Sequence, residues 1–105
     1  MKAIELDGIR INLIDAEDTT AKLEKQIGGK LETITIRDGG VMICDREAMP
    51  KELPLNNIAS LIAGTYVYGK ALIIGGTHEK FEDVPEPFEI LLNFPDDYFA
   101  EGGNA

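Results

Sequence analysis

Short alternating runs, each stopped by glycine, leave this chain few ways to fold. Residues 2–6 and 9–14 repeat with the period of a strand that buries one face, and Asp7-Gly8 stands between them. Asp-Gly at that place predicts a two-residue hairpin turn in which both central residues take positive φ. Residues 31–36 alternate again, with Ile34 and Ile36 on one face and Thr33 and Thr35 on the other. Asp38-Gly39-Gly40 then turns the chain into residues 41–44, Val-Met-Ile-Cys, which are almost continuously apolar. That is a second hairpin, and its apolar member belongs in the middle of a sheet. Residues 65–68 and 70–74 read as further strand on either side of Gly69, and Gly75-Gly76 ends them.

Two stretches change to helical spacing. Asp18-Thr19-Thr20 offers capping side chains ahead of residues 21–27, Leu23 and Ile27 stand four apart, and Gly28-Gly29 follows where a helix closes. A helix over about residues 19–27 is expected. Residues 45–55 form a polar connection interrupted by Pro50 and Pro54. Asn56-Asn57 then caps a helix over residues 58–63, with Ile58, Leu61 and Ile62 as its core-facing stripe and Gly64 as its stop. Beyond Pro85 and Pro87, residues 88–94 fit either a last helix or an edge strand, and residues 102–105 read as a frayed end. The expected order is ββαββαβ plus an acidic C-terminal element. It describes one α+β domain over residues 1–105, a mainly antiparallel sheet with short helices on one face.

The 105 residues are 44 % hydrophobic, enough for a packed core, and carry a formal net charge of −9. The charge is unevenly spread. Residues 79–105 hold eight acids against Lys80 alone, whereas residues 1–78 hold eleven acids and nine bases. Such a chain repels nucleic acid and anionic membranes at long range and attracts basic surfaces, so direct nucleic-acid binding is the least favoured broad function. No run approaches the ~18 apolar residues of a membrane span, no apolar signal segment opens the chain, and a single thiol suits a reducing compartment. A cytoplasmic protein is the expectation.

Chemistry finds little footing. His78 and Cys44 are the only residues of their kinds, so no zinc site of nitrogen and sulfur ligands can form within one chain. Glu79, Glu82, Asp83 and Glu86 lack the spacing and central glycine of a calcium loop. Cys44 sits in an apolar run with no His or Lys beside it, which suits a buried small hydrophobe. Ser60, the single serine, lies inside a helical stretch and not on a nucleophile elbow. Gly75-Gly76 follows a strand, as a phosphate turn would, but no Lys-Ser/Thr comes after it. No catalytic set, metal or cofactor is expected. What remains is surface: acids interleaved with Phe81, Tyr98 and Phe99, the pattern of aromatic anchors ringed by charge that protein-binding faces use.

Leu23-Glu-Lys-Gln-Ile-Gly-Gly29, Leu53-Pro-Leu-Asn-Asn-Ile-Ala59 and Tyr68-Gly-Lys-Ala-Leu-Ile-Ile-Gly75 together resemble family 3846 of the domains of unknown function, small proteins of phages, plasmids and conjugative elements in bacteria. The resemblance covers residues 23–76, with the N-terminal hairpin and acidic tail outside it. It implies no activity and lends no catalytic residue. It implies a setting, the accessory genes of mobile elements, among which inhibitors of host restriction and CRISPR systems are common. Charge and setting together favour a protein-binding inhibitor of a nucleic-acid-targeting defence complex. Its surface would comprise Glu79, Glu82, Asp83, Glu86, Asp96 and Asp97 with Phe81, Tyr98 and Phe99, and its partner would be a host defence protein or nuclease with a basic channel. Two other readings stand beside it. One is a nucleotide-signal binder with a basic pocket built from Arg37, Arg46 or Lys51, and the other is an accessory domain that dimerises through an edge strand.

Overall fold

In the computed structural model the described residues are 1–94. The chain runs β1 (Lys2–Asp7), β2 (Arg10–Asp15), α1 (Thr20–Ile27), β3 (Leu31–Thr35), β4 (Gly40–Asp45), α2 (Asn57–Ala63), β5 (Ala71–Gly76) and β6 (Phe81–Glu82), then a 3₁₀ helix (Glu86–Asn93). The strands form one antiparallel sheet in the order β2-β1-β5-β4-β3, and short β6 adds to the end of β5. This is the α+β class expected from the alternating runs. Two sequential hairpins flank β5, which follows both in the chain and pairs with β1 on one side and β4 on the other. Buried on both faces, β4 and β5 are the nearly continuous apolar strands.

The helices are not on one face. Alternate residues of each central strand point opposite ways, so Val41, Ile43, Leu72 and Ile74 meet Leu23 and Ile27 of α1, while Met42, Cys44, Ala71 and Ile73 meet Ile58 and Ala59 of α2. Phe88 of the 3₁₀ helix joins the α2 side. A sheet apolar on both faces requires two covers. That requirement was already present in residues 41–44 and 71–74, whose lack of alternation leaves no face for water.

α1 forms as its cap residues predict. Thr19 Oγ1 accepts from the Lys22 N–H at 3.3 Å, and Gly28 closes the helix at φ 86°. The first hairpin turns one residue later than expected. Asp7 pairs with Arg10, so Gly8 and Ile9 are the central pair and only Gly8 has positive φ, the two-residue turn with glycine leading. Between β3 and β4, Asp38 and Gly39 both take positive φ.

Residues 65–68 are not a strand, and the reason is local. Val67 donates to Ser60 Oγ at 2.8 Å, and its carbonyl accepts from the Asn56 N–H at 2.8 Å and the Ser60 hydroxyl at 3.2 Å. With Val67 so engaged, this segment makes one isolated bridge, Leu55 to Tyr68, and no ladder. In α2 the core-facing residues are Ile58, Ala59 and in part Ile62, while Leu61 points outward and is 71 % exposed. Residues 86–93 settle as the 3₁₀ helix, with Pro87 in its first turn. The short strand β6 has no alternating signal of its own.

Candidate functional site

Two polar regions stand out, one buried and one exposed. The buried one centres on Asn56. Its side-chain carbonyl accepts from the Ala59 N–H at 3.0 Å and so caps α2. Its Nδ2 donates to the Leu6 carbonyl at 2.9 Å and the Gly69 carbonyl at 2.8 Å, tying together β1, α2 and the entry to β5. Beside the end of α1 lies a second buried group, Asp45, with Lys51 Nζ at 2.7 Å and the Glu47 N–H at 2.8 Å. Desolvation pushes the Asp45 carboxyl up, but the Lys51 and Glu47 hydrogen bonds and the Lys51 charge outweigh it, so its pKa lies below the ordinary carboxylate value. Gly29 packs on that carboxylate so closely that a Cβ there would overlap it. The Ile-Gly-Gly and Leu-Pro-x-Asn-x-x-Ala phrases are thus structural: a helix stop, a carboxylate seat and a helix cap.

Burial, with the charges of Glu32 and Asp45, pushes the Cys44 thiol up to about 11, so it stays protonated. Ser60 is occupied in holding Val67. The Gly75-Gly76 pair is filled by its own hairpin: a Cβ at either position would run into the Asp83 or Lys80 carbonyl, leaving no cradle for phosphate. The three cations of the ligand-binding reading do not converge. Arg37, Arg46 and Lys51 line separate clefts of about 300, 340 and 420 Å³. In the largest cleft, Lys51 reaches the Gly28 carbonyl and Lys70 the Gln26 carbonyl, each at 3.3 Å, so both cations cap the C-terminus of α1. No group of three or more His, Cys, Asp and Glu among the described residues is placed to hold a metal ion, and no described helix is long and apolar enough to cross a membrane.

The exposed region is the end of the sheet where β1 and β4 begin and β5 finishes. There the β5–β6 hairpin turns through Thr77–Lys80, with Thr77 Oγ1 accepting from the N–H groups of Glu79 and Lys80 at 3.2 Å. This places Glu79 at the tip, Glu82 on β6 and Glu86 at the start of the 3₁₀ helix, all exposed. Asp83 has a structural duty as well: its carboxylate accepts from the Lys2 N–H at 2.8 Å, next to the bond from Val84 N–H to the Lys2 carbonyl. Among the described residues, Glu82, Asp83 and Glu86 form no ion pair with Lys or Arg, and Glu79 has only His78 at 3.7 Å. Phe81 is half-buried against the α1 side of the core, which leaves it a poor anchor. Asp96, Asp97, Tyr98 and Phe99 lie outside the described residues.

Sequence reasoning missed part of this surface. The Met1 amino group hydrogen-bonds Asp15 at 2.9 Å and also feels the charges of Asp83 and Asp18, so its pKa is raised against the effect of desolvation. Asp15, the last residue of β2, and Asp18, from the β2–α1 connection, therefore share a neighbourhood with Asp83, far along the chain. The hairpin pattern alone sets Asp15 opposite Lys2. Only the late insertion of β5 beside β1 brings the tail to them.

A family model described as Domain of unknown function (DUF3846) matches residues 1–92, extending the resemblance over the N-terminal hairpin and most of the described tail. No curated protein and no solved structure matches the chain.

Proposed function

Since the chain belongs to this family of unknown function, its activity has to be read from its own surface, and we propose that it is a protein-binding inhibitor of a nucleic-acid-targeting defence complex. The observation carrying this reading is the acidic end of the sheet: Glu79, Glu82 and Glu86 exposed, Asp83, Asp15 and Asp18 beside them, and, among the described residues, no Lys or Arg ion pair to any of the tail carboxylates up to Glu86. Nucleases hold DNA or RNA in channels lined with Lys and Arg, and a folded acidic surface competes for such a channel. Each exposed ion pair contributes little, about 0–1 kcal/mol, so affinity requires many pairs acting together, with long-range attraction raising the on-rate. The mobile-element setting implied by the sequence resemblance makes host restriction or CRISPR nucleases the natural partners. This reading gives the chain no catalytic role and no cofactor.

Target cleavage by a panel of Cas nucleases and restriction enzymes, with and without the protein, tests it. Inhibition of at least one, lost in a Glu79→Lys/Glu82→Lys/Glu86→Lys variant that still folds, is the expected result. Unchanged cleavage across the panel removes the reading. Asp83 is left intact because it also holds the Lys2 N–H.

A further inference from the structure

We draw no further inference here: the strongest candidate, the apolar cleft on the α2 side of the sheet lined by Leu61, Phe88, Ile90 and Arg37, carries nothing, because its two charged residues, Arg37 and Asp38, pair with each other and nothing in the structure shows what covers it.

Discussion

Asn56 and Glu82 are both polar residues close to a strand end, and they do opposite things. Every hydrogen-bonding group of the Asn56 side chain has a partner inside the molecule, and no buried side-chain polar atom among the described residues lacks one. Glu82 and Glu86 have no ion-pair partner among the described residues. The first region is a knot that specifies the fold, and the second is charge held at the surface by a hairpin whose own bonds are satisfied without it. Where polar groups are spent internally, substitution should be felt as stability. Where they are left over, it should be felt only as binding.

The largest effect should come from cutting the knot. Asn56→Ala removes the α2 cap and leaves the Leu6 carbonyl and the Ala59 N–H short of a partner in a buried setting. The lost cap, which is the Ala59 bond, contributes about 1 kcal/mol and the orphaned Leu6 carbonyl about 1–3 kcal/mol more, so a loss of roughly 2–4 kcal/mol is expected. Urea denaturation reads it as a lower midpoint at unchanged slope. A change below about 1 kcal/mol would mean that water replaces Asn56, and the contrast between the two regions would collapse.

Next in size is the Asp45 seat. Gly29→Ala sets a methyl against the carboxylate and should cost about 2–3 kcal/mol, through overpacking and a weakened bond to Lys51. The pH dependence sharpens this. Because the folded-state pKa of Asp45 is lowered, its contribution is present above the ordinary carboxylate pKa of about 4 and is lost as pH falls through the folded value. The stability gap between the native chain and Asp45→Asn should therefore be widest near neutrality and shrink below about pH 4. A gap constant from pH 7 to pH 3 would show that Asp45 acts through shape alone. Ser60→Ala comes third: it deprives the Val67 N–H of its acceptor, for about 1–2 kcal/mol.

The same division explains what could be read before the fold was seen. Residues whose duty is local announced it: Thr19 and Gly28 at the ends of α1, Asp38-Gly39 at a turn, the alternation of β1 to β3. Residues whose duty is to bridge distant elements did not. Asn56 reads as a helix cap, but nothing nearby says that its amide also reaches Leu6, fifty positions back. Ser60 reads as an ordinary helix serine, and so residues 65–68 look like a strand until its hydroxyl is seen to take the Val67 N–H. Leu61 fits a core stripe at i, i+3 and i+4, yet α2 is turned so that Ile58, Ala59 and in part Ile62 face the sheet and Leu61 points away from it. The acidic surface was legible as composition. Its extension by Asp15 and Asp18 was not, because it exists only once β5 has entered the sheet beside β1.

The smallest effect on stability should come from the acidic end, and that smallness is the point. Glu79→Lys/Glu82→Lys/Glu86→Lys removes no described hydrogen bond made by those side chains and should melt with the native chain, or slightly above it, since a net charge of −9 repels itself. Asp83→Asn provides the internal contrast: it keeps an acceptor for the Lys2 N–H and should also melt near native, whereas Asp83→Lys removes that acceptor and should not. A reversal variant that melts well below the native chain would mean that these carboxylates are engaged in the fold after all. They would then be a second knot, with no charge left over to offer a basic partner.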